Sequence, residues 1–256
     1  MMTFSIITTV LNNEKFILQC LKSVKEQKIK KKYIEHIIVD GGSSDKTISI
    51  IKKFKKEARY IKLFIKNKSS IYQGMNYGIK KSKNKIIGIL NSDDFFKNKN
   101  VLKDIKKTFN KSYSFDAVYS NVNIVNRLNV KKKIRFFKSR TLKYTDFLKC
   151  EHPAHTSLFV KKKIFDKNGF YNEKLKIASD FEFMLRVFGV NKVKTYHINR
   201  TLIVMRSGGE STKSILNIIL SNYEVAKSFK INRIKINWSY IFLKIFRKIC
   251  QLRFIN

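Results

Sequence analysis

The stretch Ile86–Phe96, IIGILNSDDFF, limits the possible folds more than any other part of this chain. Its apolar run, Ile86 to Leu90 broken only by Gly88, has the length and character of a buried central strand, and it stops at Asn91, Ser92, Asp93 and Asp94. Two neighbouring carboxylates at the end of a buried strand repel each other and resist desolvation, so they demand a cation or several hydrogen-bond donors. A divalent ion answers that demand, because oxygen-only ligands suit Mg2+ or Mn2+, which bridge protein carboxylates to nucleotide phosphates. A turn, or a cap for a helix beginning near Asn100, is the structural alternative.

Upstream, strands and helices alternate. Phe4–Val10 (FSIITTV) reads as a β-branched strand, Leu11-Asn12-Asn13 as a turn, and Phe16, Ile17, Cys20, Leu21 and Val24 as one helical face. Tyr33–Val39 predicts a second strand running into Asp40-Gly41-Gly42-Ser43-Ser44-Asp45, where the glycines allow a tight turn and Ser44 or Asp45 caps a helix carrying Ile48, Ile51 and Phe54. Ile61, Leu63 and Ile65 alternate as a third strand, and Ile71, Met75 and Ile79 repeat as a helix. This order predicts an α/β fold with a doubly wound, mostly parallel sheet. Ligands of such sheets bind beyond the carboxyl ends of the strands, where Asp40 stands; it either hydrogen-bonds a base or ribose or serves the βα turn.

Downstream the pattern changes. Val101–Phe109 predicts a short helix, Phe115–Val125 a strand, and Asn126–Asn129 a turn into the basic strand Val130–Phe137, which implies a smaller antiparallel segment. Cys150, His152 and His155 lie close together before the strand Ser157–Val160, but no fourth ligand accompanies them, so zinc is not expected. Asp180 occupies an N-cap position before a helix with Phe181, Met184, Leu185 and Phe188 on its apolar side. In the loop Met205–Ser211, Arg206 either pairs bidentately with phosphate or is an ordinary solvated side chain. A helical extension is expected from about residue 213.

The chain has 256 residues with 43% hydrophobic content, enough for a sizeable core, and its formal charge is +37. Such a charge attracts nucleic acid, an acidic membrane surface or phosphorylated ligands, although the abundance of Lys, Ile and Asn accounts for part of it. Nucleic acid is not an expected partner, since no zinc-finger spacing, RNA-recognition signature or basic-heptad arrangement occurs. Cys20, Cys150 and Cys250 are distant from one another and read as free thiols. Without an apolar run of membrane-spanning length or a leader pattern at its start, the chain is expected in the cytoplasm. Trp238, Ile241, Phe242, Ile245, Ile249 and Leu252 fall on one side of a helix, with Lys244, Arg247 and Lys248 off it. That pattern suits a helix lying on the anionic inner face of the cytoplasmic membrane or one packed on the core.

Four segments, SIITTVLNNEKFILQCLKSV, HIIVDGGSSDKT, SSIYQGMNYGI and GILNSDDFF, follow one another in an order that resembles the family 2 glycosyltransferases of the GT-A fold, especially bacterial surface-polysaccharide enzymes. The resemblance covers about residues 3–100 and continues more weakly to about 212. It implies a catalytic domain over 1–212, with a nucleotide-sugar half (1–100) and an acceptor half (101–212), followed by an extension over 213–256. It also implies that Asp40 contacts the nucleotide base, that Thr9, Asn12, Asp93 and Arg206 bind the donor, and that Asp93 and Asp94 hold Mn2+ or Mg2+. Asp180 would be the general base, while His155 is either a structural residue or a ligand contact. The implied activity is inverting transfer of a sugar, UDP-linked in the first instance, to a hydroxyl of a glycan or lipid-linked acceptor. Two departures stand out: Asn91 replaces the first Asp of the metal motif, and Gln73-Gly74 replaces a common Asp-Ala. The competing reading is a catalytically idle GT-A-like protein that binds nucleic acid or an anionic surface.

Overall fold

The computed structural model describes residues 2–111 and 114–241. Its first part is the expected alternation: β1 (Phe4–Val10), α1 (Ile17–Lys25), β2 (Ile34–Asp40), α2 (Thr47–Glu57), β3 (Ile61–Ile65), α3 (Ile71–Lys81) and β4 (Ile86–Ile89). β3, β2, β1 and β4 lie side by side in that order and are all parallel. Alternate residues of each strand feed opposite layers, as the two-residue period requires. In β1, Phe4, Ile6 and Val10 pack with Ile17, Leu21 and Val24 of α1 and Ile51 and Phe54 of α2, whereas Ile7 packs with Met75 and Ile79 of α3 on the other face. The sheet is therefore covered on both faces, and its C-terminal edge is left for the loops.

The second part comprises β5 (Phe95–Phe96), α4 (Val101–Lys111), β6 (Ala117–Val125), β7 (Lys133–Phe137), α5 (Tyr144–Leu148), β8 (Phe159–Lys161), α6 (Lys162–Asn168), α7 (Ser179–Met184), β9 (Thr195–Arg206) and α8 (Ile215–Ile231). These strands extend the same sheet, in the order β3-β2-β1-β4-β8-β6-β9-β5 with β7 on β6. The β6–β7, β6–β8, β4–β8 and β5–β9 pairs are antiparallel, as expected for this half, but β6 and β9 run parallel. The twelve-residue strand β9 was not expected from the sequence. It pairs with both β6 and β5 and brings the Arg206 amide to Asp94.

At the start of α2, Asp45 accepts from the amide of Thr47, the first helical residue, at 2.9 Å and from that of Glu14 at 3.1 Å, so it caps the helix one residue ahead of Lys46. Other local expectations need correction. α7 has Ala178 at its N-cap, so Asp180 is the second helical residue. Gln73, one of the departures from the family pattern, closes a capping box with Ser70 at the start of α3. Its neighbour Gly74 allows α3 to approach β1, since a Cβ there would lie 2.9 Å from Thr9 Cγ2. The expected interfacial helix lies mostly outside the described residues, which end before Phe242. Of its described residues, Trp238 is exposed but Ile241 is buried in the core, so these two do not share one outward apolar face.

Candidate active site

The site grows from the loops at the carboxyl edge of β1, β2 and β4. The loop after β1 is fastened to the loop after β2: Asn12 Oδ1 accepts from the Ser44 amide at 2.8 Å, and the Asn12 amide donates to Ser43 Oγ at 2.9 Å. Asn12 adopts φ 46°, a left-handed conformation that Asn tolerates better than most residues. Asn13 Nδ2 reaches the loop after β4, donating to Ser92 Oγ at 2.7 Å. Three loops far apart in sequence are thereby interlocked, and Thr9 lies half-buried beneath them with its methyl group against α3.

Asp40 is fully buried and accepts from the amides of Gly42 and Ser43 at 2.8 and 2.6 Å and from Ser43 Oγ at 2.7 Å. Its carboxylate shapes the turn, which is the structural alternative raised by the sequence. Gly42 has φ +99°, and a Cβ there would meet Asn67 Oδ1 at 2.9 Å, so the turn also depends on glycine.

Asp93 and Asp94 look alike in sequence but occupy different environments. The Asp93 side chain is 20% exposed, and its Oδ2 lies 3.0 Å from Arg127 Nη1. Asp94 is 1% exposed; Oδ1 accepts from the Arg206 amide at 3.1 Å and Oδ2 from Asn91 Nδ2 at 2.9 Å. Burial, and then the adjacent Asp93 charge, push the Asp94 carboxyl up to about 8. Asp94 is a buried brace with each oxygen engaged, and Asp93 is the more exposed acid of the pair. Asn91, at the position of the missing first acid, serves the same brace. Among the described residues no group of three or more His, Cys, Asp or Glu side chains is placed to hold a metal. One carboxylate, Asp93, nevertheless fits a hard ion that takes its remaining ligands from diphosphate and water.

Arg206 is likewise built into the protein. Its guanidinium bonds to Gln19 Oε1 and to the Arg127 carbonyl (3.1 Å), and lies 4.6 Å from the Phe16 ring centroid and 5.5 Å from that of Phe95. The cation beside the cleft acid is Arg127, which stacks on the same Phe16 ring at 4.8 Å and keeps 41% of its side chain exposed. Sequence reasoning missed it, for Arg127 stands in an Asn-Arg-Leu-Asn turn without a motif.

Asp180 is partly exposed in the first turn of α7, and its Oδ1 accepts from the Phe181 amide at 2.8 Å. Tyr72, in the first turn of α3, donates its hydroxyl to the Ile177 carbonyl at 2.7 Å and lies 3.4 Å from Asp180 Oδ1. Burial raises Tyr72 well above the usual tyrosine range, with Asp180 adding to the effect, so its hydroxyl stays protonated as a donor. His155 is bonded through Nε2 to Tyr171 Oη at 2.7 Å; burial lowers its affinity for a proton, against the opposing pull of Asp180. It is half-buried and close enough to feel the Asp180 charge.

Another residue missed in the sequence holds this arrangement from behind. Glu224 of α8 is buried and accepts from three successive amides, those of Lys176 (2.7 Å), Ile177 (2.8 Å) and Ala178 (2.8 Å), which form the entry to α7. Glu224→Gln is expected to lower kcat about 10- to 100-fold by letting Asp180 shift. Donor affinity should stay close to that of the wild type, which a loss of folded protein would not allow.

The model of the family described as "Glycosyl transferase family 2" matches residues 5–169, a span that includes Asp40, Asn91, Asp93, Asp94, Arg127 and His155. The chain belongs to this family. It is 24% identical over 233 residues to the poly(ribitol-phosphate) beta-N-acetylglucosaminyltransferase TarS of Staphylococcus aureus, which covers 89% of the chain and 40% of TarS. The chain therefore spans less than half the length of that relative. A PGL/p-HBAD biosynthesis glycosyltransferase of Mycobacterium bovis is 23% identical over 215 residues, covering 84% of the chain and 80% of the relative. Among solved structures, S. aureus TarS 1–349 in complex with UDP-GlcNAc aligns with a TM-score of 0.71 at 19% identity, covering 96% of this chain and 72% of that one. The mannosyltransferase PcManGT of Pyrobaculum calidifontis, in complex with GDP-Man and Mn2+, aligns with a TM-score of 0.66 at 14% identity, covering 89% of this chain and 66% of that one. These likenesses establish the GT-A fold.

Proposed function

We propose that the chain is an inverting, metal-assisted glycosyltransferase that moves a sugar from a nucleotide-diphosphate sugar, UDP-linked in the first instance, to a hydroxyl of a glycan or lipid-linked saccharide. The observation that carries this reading is the presence together of a partly exposed acid–cation pair, Asp93 and Arg127, and a second partly exposed acid, Asp180, within reach of Tyr72. A polyanion-binding groove gains nothing from acids at its mouth, which weighs against the idle alternative. TarS, crystallised with UDP-GlcNAc, lends the nucleotide-sugar assignment its nearest support.

In this mechanism Asp180 takes the proton of the acceptor hydroxyl as the oxygen attacks the anomeric carbon from the face opposite the diphosphate. The bond from that carbon to the diphosphate oxygen breaks, the sugar gains oxocarbenium character, and negative charge collects on the leaving group. Arg127 lies beside Asp93 with half its surface free, suited to stabilise that charge. Asp93 is the residue that would hold Mn2+ or Mg2+, which when bound supplies further positive charge to the diphosphate. Asp94, Asn91 and Arg206 keep the loop that presents Asp93 in place.

A screen of nucleotide-sugar hydrolysis with and without Mn2+ tests donor, metal and activity together. Release of nucleoside diphosphate from one donor class, stimulated by Mn2+, is the expected result. If no donor is turned over or bound, and nucleic acid binds with steep salt dependence instead, the idle alternative takes its place.

A further inference from the structure

We infer that the outer face of α8 is a docking surface for a bilayer carrying anionic headgroups. This inference does not depend on the donor or acceptor assignment. α8 carries apolar residues on two opposite sides. Among the described residues one side is covered: Ile218, Val225, Ala226 and Phe229 face the core, with the Phe229 ring centroid 5.7 Å from that of Phe181 in α7. On the opposite side Ile215, Leu216, Ile219 and Tyr223 are 73%, 76%, 59% and 64% exposed. They recur at helical spacing and form one stripe over the first two and a half turns.

The surrounding charge identifies the occupant. Continuing along the same side, Lys227 and Lys230 are exposed one and two turns beyond Tyr223. The only acid in the helix, Glu224, is turned inward onto three backbone amides. The exposed face thus has an apolar half with a tyrosine and a basic half with no acid, an arrangement suited to insertion among lipid chains with cations at the headgroups. A second copy packed in parallel would bring Lys227 and Lys230 against their equivalents, and one packed antiparallel would set them on the apolar start of the stripe near Ile215. The segment 242–256, whose sequence holds Lys244, Arg247, Lys248 and Arg253 and no acid, would meet the same repulsion. The chain-wide charge of +37 adds long-range attraction to an anionic surface.

The location gives docking a use. Ser214 caps α8 and follows directly on the loop at 207–213, where the Ser207 carbonyl lies 3.5 Å from Arg127 Nη1 and Glu210 is bonded to Asn217 of α8. A bilayer against the stripe would therefore lie beside the loop that touches Arg127.

The test is co-sedimentation of the full chain with phosphatidylglycerol/phosphatidylcholine vesicles and with phosphatidylcholine vesicles alone, in the absence of donor. Binding to the anionic vesicles is expected, at least about tenfold weaker for Leu216→Ser/Ile219→Ser/Tyr223→Ser. A similar loss is expected for Lys227→Glu/Lys230→Glu, with melting temperatures unchanged because every substituted side chain is exposed. Equal binding by the wild type and the apolar triple variant would overturn the proposal, since general charge would then explain the attraction. So would failure of the wild type to sediment, or a dimer in sedimentation velocity that the triple variant converts to monomer.

Discussion

Asp180→Asn is expected to lower turnover about 100-fold or more while leaving donor affinity and melting temperature close to those of the wild type. The amide keeps the shape of the carboxylate and retains one oxygen to accept from the Phe181 amide, so the first turn of α7 loses little. What it cannot do is take a proton at the pH of the reaction. Tyr72 and Glu224 hold the backbone on either side of the α7 entry and are untouched by the substitution, so the side chain stays in place while its chemistry is removed. Steady-state kinetics, calorimetry with the nucleotide sugar, and thermal unfolding separate these effects. A loss of donor affinity as large as the loss of rate would show that Asp180 shapes the pocket instead of accepting the proton.

The first half of the fold was legible because its signals are local. Strands β1 and β2 are short and rich in β-branched residues, α1 to α3 repeat apolar residues at helical spacing, and parallel pairing follows from their alternation. Strand β9, in contrast, reads TYHINRTLIVMR, whose polar centre hides the period; it is held as a strand by β6 and β5, both distant in sequence. The site divides in the same way. Asp93 and Asp180 could be singled out from motif order, but the burial of Asp94 depends on the amide of Arg206, 112 residues away, and no local pattern reports it. Arg206 and Arg127 differ in role because Phe16, Phe95 and Gln19 enclose the first, whereas the second remains half in solvent. Composition cannot express that difference.

The sharpest consequence of this geometry is that the two adjacent acids fail differently when removed. Asp93→Ala is expected to lower transfer at least about 100- to 1000-fold and to abolish the response to Mn2+, because it deletes the one carboxylate of the pair that faces the cleft. The stability cost should be small: a partly exposed ion pair such as Asp93–Arg127 contributes about 1 kcal/mol or less. Asp94→Ala instead strips the partner from the buried Arg206 amide, a loss of about 1–3 kcal/mol for a buried donor left unpaired, and from the part-buried Asn91 side chain, which water can reach. For a chain of this size that corresponds to a fall of about 2–4 °C per kcal/mol. Any protein that remains folded should still respond to Mn2+, since Asp93 is intact. Thermal unfolding and Mn2+ titration of the two variants side by side decide the matter. If Asp94→Ala melts like the wild type yet loses the Mn2+ response, Asp94 is a metal ligand after all, and its hydrogen bonds to the Arg206 amide and Asn91 must be exchanged for metal during the reaction.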